Sequence, residues 1–216
     1  MKRIRKSFVT SMCLLTAFVL WTVAICFVDV QAIGPKGSSV GFAGINGFVH
    51  NLTGVHLGLY NITDWLGLVP IGVAFSFAIL GLAQWIKRRK IAKVDRSLLV
   101  LGGFYITVIA VYIFFETVVI NYRPVLIGGC LEVSYPSSTT LLVMCVMLTA
   151  MMQFKARIKN KIFRRCVLLI IAVFIAFMVI GRLVSGVHWL TDIIGGALIS
   201  SALVMTCAWV CNILNR

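Results

Sequence analysis

The sequence predicts an all-α polytopic membrane protein, with about six transmembrane helices in one bundle. Three observations carry this: 61% of residues are hydrophobic and only 12% charged, mean hydropathy is +1.04, and no long polar segment interrupts the chain. A bilayer core takes roughly 20 apolar residues per helix at ~1.5 Å rise, so 216 residues accommodate about six spans with short connections. Only helices or closed barrels satisfy their backbone groups in lipid, and these runs are too long and uniformly apolar for strands. A single membrane domain over 1–216 is expected, with no soluble domain.

Apolar runs bounded by charge place the spans near 8–28, 67–86, 97–120, 138–154, 166–182 and 188–213, the fifth looking short. The first follows Lys2, Arg3, Arg5 and Lys6 and ends at Val30-Gln31-Ala32, which imitates a signal-peptide cleavage site. Its apolar stretch exceeds the usual signal core, so it reads as a retained span. The outer segment 29–66 is glycine-rich and carries Phe42, Ile45, Phe48, Val49 and Leu52 at helical spacing. It reads as an interfacial helix on the membrane, with a lid over a site as the alternative. His50 and His56 have no carboxylate or cysteine at ligand spacing and read as interfacial polar groups. Before the fourth span, Pro136 suits a first helical turn with Ser134 as its cap. Seven cysteines form no Cys-x-x-Cys pair and read as small buried apolar residues.

The net charge of +14 might suggest nucleic acid, but its distribution argues for membrane topology. Basic residues cluster before the first span, at Lys87–Arg96, at Lys155–Arg165 and at Arg216. All of these lie on one side of a six-span layout, which the positive-inside rule makes the cytoplasm. The N-terminus is then cytoplasmic, in the plasma membrane, and the clusters face anionic headgroups rather than nucleic acid. Only Lys36, Arg123 and Arg182 fall on the outer side, so Arg182 and His188 are expected at the extracytoplasmic surface.

Within GRLVSGVHWLTDIIGG, Arg182, His188 and Asp192 are ionisable groups beside a bilayer, which marks a functional site by default. His188 and Asp192, four apart, would share a helix face, so that the carboxylate orients the ring. If the sixth helix starts at Ser185 or Gly186, its positive end disfavours imidazolium and keeps His188 nucleophilic. The loop FETVVINYRPVLIGGCLEVSYPSSTT puts Arg123, Ser137 and Thr139 on the same side. A helix start offering free N–H groups and the Ser137 hydroxyl binds anions, phosphate above all, and two arginines can fork onto its oxygens. The chemistry suggested is in-line displacement: His188 attacks phosphorus, Arg123, Arg182 and Ser137 hold equatorial oxygens, and water cleaves the phosphohistidine. A structural Arg–His–Asp network bridging two helices is the alternative. No metal or cofactor is implied, since histidine attack needs none and no ligand cluster is present.

On these residues the chain resembles the type 2 phosphatidic acid phosphatase family, six-helix membrane enzymes that dephosphorylate lipid phosphates and isoprenoid diphosphates and share a core with vanadium haloperoxidases. The family carries Lys-x6-Arg-Pro, Pro-Ser-Gly-His and Ser-Arg-x5-His-x3-Asp in that order. Here the third reads Gly181-Arg182, His188, Asp192, and the first keeps Arg123-Pro124. The resemblance covers about 67–213 and implies a lipid phosphate or diphosphate as substrate.

Three motif positions diverge: Glu116 stands where the family has lysine, Ser138 where it has glycine and Thr139 where it has histidine. By resemblance the lost lysine binds phosphate and the lost histidine protonates the leaving group. Glu116 is expected to pair with Arg123; a protonated Glu116 acting as substitute acid is the alternative. A general acid is worth about 10²–10⁴-fold, chiefly for a poor leaving group. Phosphate leaving from a diphosphate, with a second ionisation near ~6, departs unassisted, so an isoprenoid diphosphate tolerates Thr139 better than phosphatidate. The expected function is therefore a lipid phosphatase or phosphotransferase. A non-catalytic member binding phospholipid headgroups or a partner is the alternative, and a transporter or channel a third.

Overall fold

Twenty apolar residues in lipid must close their own backbone hydrogen bonds, and in the computed structural model of the chain every predicted run is helical. The structure describes residues 2–214 and, at Lys2 and Arg3, the backbone alone. The Lys2, Arg3 and Arg216 charges invoked above thus lie outside what is described. The helices are α1 (Lys2–Phe27), α2 (Ala43–Thr53), α3 (Leu57–Leu66), α4 (Leu68–Arg88), α5 (Arg96–Thr117), α6 (Ser138–Arg157), α7 (Lys161–Val184) and α8 (Leu190–Leu214). Six spans are long and apolar enough to cross a membrane, with α3 and α4 forming one, Leu57–Arg88, broken at Gly67. Extended residues make isolated bridges rather than a sheet among the described residues.

Several helix ends differ from the sequence reading. The fifth span is not short: α7 has 24 residues, because Lys161, Arg164 and Arg165 form its first turns rather than a loop. Long basic side chains sit on helix ends because their stems run along apolar surface while the charge reaches the headgroups. Asn160 caps α7, its Oδ1 accepting from the N–H of Ile162 at 2.9 Å and of Phe163 at 3.1 Å. Pro136 does not open α6. It follows a cis Tyr135–Pro136 bond, and the cap is Ser137, whose Oγ accepts from Thr140 N–H at 3.4 Å. Ser134 is accordingly not the cap. The cysteines of the spans also depart from expectation: Cys145 and Cys207 are buried, whereas Cys13, Cys26 and Cys166 are exposed. The three exposed ones on helices lie on surface that faces lipid, where a small apolar side chain is as well accommodated as inside.

α6 and α8 form the centre, 50% and 44% buried along their spans against 17–22% for the others. α1 lies along α8, with Ser11 Oγ donating to the Ala202 carbonyl at 3.1 Å and Phe8 against Trp209 at 5.1 Å. Gly195 and Gly196 set the approach of α8 to the start of α6: a Cβ on Gly195 would fall 2.4 Å from the Tyr135 ring, and one on Gly196 3.1 Å from the Ser137 carbonyl. Small residues permit such backbone proximity in membrane bundles. As a result Ser137 N–H donates to the Asp192 carbonyl at 3.1 Å, tying the two helix starts together.

At the opposite end Asp95 pairs with Arg157 at 3.1 Å and Arg88 at 3.6 Å, and Arg96 donates to the Leu214 carbonyl at 2.8 Å. The basic clusters therefore gather at one end and Arg123, Arg182 and His188 at the other. The outer segment docks onto that second end. Asn46 donates to Thr191 Oγ1 at 2.9 Å and accepts from Thr191 N–H at 3.2 Å, and His56 N–H donates to the Ser185 carbonyl at 3.0 Å. Phe48 and Leu52 stay 67% and 75% exposed on the far face of α2. The interfacial reading accounts for those two residues; the covering one accounts for Asn46 and His56.

Candidate active site

His188 does not lie in a helical turn. α8 starts at Leu190, so His188 sits in the connection from α7, outside both spans, and the predicted i, i+4 helix face is not formed. The connection turns at Gly186, whose φ of +69° and 1.9 Å approach of a virtual Cβ to the Gly54 carbonyl leave room for glycine alone. Asp192 instead occupies the third position of α8, where its Oδ2 accepts the Trp189 N–H at 2.9 Å, half of a capping box. Its other oxygen accepts from Asn121 at 3.2 Å.

A hydroxyl separates the imidazole from the carboxylate. His188 Nδ1 is 3.9 Å from Asp192 Oδ2, beyond hydrogen-bond range. Ser134 Oγ lies between them, 3.0 Å from Nδ1 and donating to Oδ2 at 2.5 Å. With the serine proton on Asp192, Nδ1 is the donor and Nε2 carries the lone pair. That Nε2 is buried and has no hydrogen-bond partner. Burial holds the imidazole well below its ordinary range, at about 4, with Arg123 and Arg182 acting in the same direction and Asp192 against. Burial and two neighbouring cations, rather than a helix end, thus keep the ring neutral.

The two arginines converge on this ring from different elements. Arg123 stands in the loop after α5, where Tyr122 bridges Val133 and Arg123 N–H donates to the Glu132 carbonyl at 3.0 Å. Arg182 ends α7 and is 1% exposed. Both guanidinium groups lie over the Tyr60 ring of α3, at 5.7 and 4.7 Å from its centroid. Six buried side-chain polar atoms lack a hydrogen-bond partner among the described residues, and four belong to this group: Arg123 Nε and Nη1, Arg182 Nε and His188 Nε2, although Arg123 Nε has a carboxylate oxygen 3.2 Å away in an ion pair. Native interiors leave few such atoms, each costing about 1–3 kcal/mol, so the guanidinium donors point to a site built for an acceptor, while His188 Nε2 offers a lone pair. Ser137 is fully buried at the cap of α6, beside Asp192.

Of the divergent positions, Glu116 and Ser138 line a small pocket with Ser134, and Thr139 lines a second cavity with Asp64. Glu116 does not pair with Arg123: it is exposed at the end of α5 and interacts with Tyr112. Glu132 takes the arginine instead, its Oε2 3.2 Å from Nε, because the Tyr122–Val133 bridge sets residues 123 and 132 opposite each other. Thr139 and Ser138 are half-buried in the first turn of α6 and line a cavity whose wall also includes Asp64, Leu68, Ile109 and Tyr112. Sequence reasoning missed Tyr60, Thr63 and Asp64. The three share one face of α3, with Thr63 Oγ1 3.4 Å and Asp64 Oδ1 3.7 Å from Arg182 Nη1. Their only trace in the sequence was a polar i, i+3, i+4 pattern inside an otherwise apolar segment. Ser134 carried no trace beyond its nearness to the second motif.

Among the described residues, six helices long enough to span a membrane surround a buried, donor-rich cluster at one end, the architecture of an integral membrane protein. Residues 122–216, which contain every site position above except Glu116 and the α3 residues, match the profile of the PAP2 superfamily. The fold is similar to the crystal structure of the first transmembrane PAP2 type phosphatidylglycerolphosphate phosphatase from Bacillus subtilis. The two are 18% identical with a TM-score of 0.60, over 95% of this chain and 98% of that one. A search of curated proteins finds no match. The chain thus has the fold of that PAP2 type phosphatase, and its second half matches the PAP2 superfamily.

Proposed function

We propose that this protein is a membrane lipid phosphatase or phosphotransferase that acts on a lipid phosphate or diphosphate through a phosphohistidine, with isoprenoid diphosphate preferred. The single observation that carries the reading is the set of unpartnered buried donors on Arg123 and Arg182 around an unpartnered His188 Nε2. In this scheme Nε2 attacks phosphorus, the arginines and Ser137 hold the equatorial oxygens, and Asp192, acting through Ser134, balances the charge that develops on the ring. The apolar wall beside Thr139, formed by Leu68, Ile71, Val108, Ile109 and Leu142, suits a lipid chain. Thr139 brings no proton, so a diphosphate, whose leaving phosphate needs none, is the better substrate.

The test is phosphate release by purified protein from farnesyl diphosphate and from phosphatidate, with His188→Ala as control. Faster turnover of the diphosphate, abolished in the variant, supports the proposal; equal rates or turnover of phosphatidate alone defeat the substrate preference. Thr139 favours a second reading, a non-catalytic binder of phospholipid headgroups. Equal inactivity of wild type and variant with retained binding to phosphatidate-containing vesicles would establish it.

The same reading sets the site at the extracytoplasmic face of the plasma membrane, on the strength of the basic clusters at the other end. Cys130 is exposed in the loop at the site end. A membrane-impermeant maleimide applied to intact cells should label wild type and not Cys130→Ser; equal labelling of the two, or labelling only after lysis, reverses the orientation.

A further inference from the structure

A carboxylate lines the same cavity as Thr139. The cavity beside Thr139 lies between α4, α5 and α6 and has Asp64 in its wall. Asp64 ends α3 with its side chain 61% exposed, yet its Oδ1 is 3.7 Å from Arg182 Nη1, on a guanidinium only 2% exposed. It therefore touches both the proposed phosphate clamp and the open cavity. His188, 3% exposed, is not part of that wall. In-line attack expels the leaving oxygen on the side of phosphorus away from the nucleophile. An apolar leaving group departing from His188 has this cavity, with its Leu68, Ile71, Val108 and Ile109 wall, as the space to enter.

We infer that Asp64 is the general acid and base when the leaving group is an alkoxide, a role Thr139 cannot take, which makes phosphatidate a slower second substrate beside the preferred diphosphate. The inference rests on the phosphatase reading above. A phosphate docked on Arg182 lies beside the Asp64 carboxyl, which is open to solvent and enters the cycle carrying a proton from it. As the His188 Nε2–phosphorus bond forms and the phosphorus–oxygen ester bond breaks, Asp64 gives its proton to the departing alkoxide, which leaves as the alcohol. The carboxylate then removes a proton from the water that attacks the phosphohistidine. The nitrogen–phosphorus bond breaks, phosphate is released, and His188 and protonated Asp64 are regenerated. Tyr112 shares the cavity but interacts with Glu116 rather than with an arginine of the clamp.

The experiment compares wild type, Asp64→Asn, Asp64→Glu and His188→Ala on phosphatidate, whose alkoxide needs a proton, and on farnesyl diphosphate, whose phosphate leaving group does not. Asp64→Asn is expected to lower the ratio of phosphatidate to diphosphate turnover about 100-fold. Asp64→Glu should restore most of that ratio, and the alkaline fall of kcat for phosphatidate should disappear in Asp64→Asn. An unchanged ratio, or wild type that turns over the diphosphate but no phosphatidate, overturns the Asp64 assignment and leaves the phosphatase reading standing. Wild type that cleaves neither substrate, or a His188→Ala protein as active as wild type, defeats that reading and the Asp64 assignment with it.

Discussion

The two ends of the bundle both bring arginines to carboxylates, with opposite consequences. At the basic end Asp95 meets Arg88, Arg157 and Gln84 with every partner partly exposed, so each pair contributes about 0–1 kcal/mol. At the other end Arg123, Arg182 and His188 are buried among donors left without acceptors. Charges in the first region are solvated. In the second they are desolvated and only partly paired, which destabilises the fold unless an acceptor supplies the missing bonds. A charge cluster is informative about function in proportion to how little water and how few internal partners it has.

The largest effect that could break this contrast is removal of the proposed nucleophile. His188→Ala should lower phosphate release by about 10⁴-fold or more, whereas Asp95→Asn at the basic end should leave it within about threefold. Comparable losses from both variants would erase the distinction. Next, Arg182→Met should cost about 10²–10³-fold in activity while leaving the thermal midpoint equal or higher, because a buried cation gives way to an apolar side chain of similar length. A large drop in midpoint would make Arg182 structural instead. Ser134→Ala should lower kcat about 10–100-fold, as loss of an orienting partner does, with Ser134→Thr recovering part of it. If Ser134→Ala is fully active, Asp192 acts without the hydroxyl.

The pH profile sharpens the comparison further. In the proposed reaction the nucleophile is the neutral ring, and burial holds His188 at about 4. Its neutral fraction therefore falls only as pH drops through that value. Between pH 7 and 5, kcat/KM should change by less than about a factor of two, whereas an unperturbed histidine near ~6.5 would lose about 25-fold. An acid limb near 6.5 would mean that the ring is hydrated in the free protein. The smallest effect belongs to the basic end. Asp95 is held below the usual carboxylate range, first by its hydrogen bond to Gln84 and then by Arg157 and Arg88. Asp95→Asn should lower stability at neutral pH by less than about 1 kcal/mol, a difference that high salt reduces. Because the depressed carboxyl stabilises the fold in its charged form, the difference should also fade as pH falls through the carboxylate range.

Much of this architecture was legible in the order of residues alone. Span number, the sidedness of the basic clusters and the Arg182, His188, Asp192 trio follow from hydropathy and spacing, which are local quantities that lipid enforces along a single helix. Span ends were less legible. Lys161, Arg164 and Arg165 look like a loop in one dimension, yet a helix end accepts them because their side chains reach the interface.

What only the tertiary structure decided is how distant segments meet. Arg123 chose Glu132 over Glu116 because an outer loop folds back on itself. Ser134 entered between His188 and Asp192 because Gly195 and Gly196 let α8 approach the start of α6. Tyr60 and Asp64 reached Arg182 because α3 packs on α7 more than a hundred residues later in the chain. The sequence by itself determined which groups are costly to bury and at which end of the bundle they gather, since transfer free energy belongs to each residue. The partners that make their burial useful depend on long-range packing, and no periodicity in the chain encodes it.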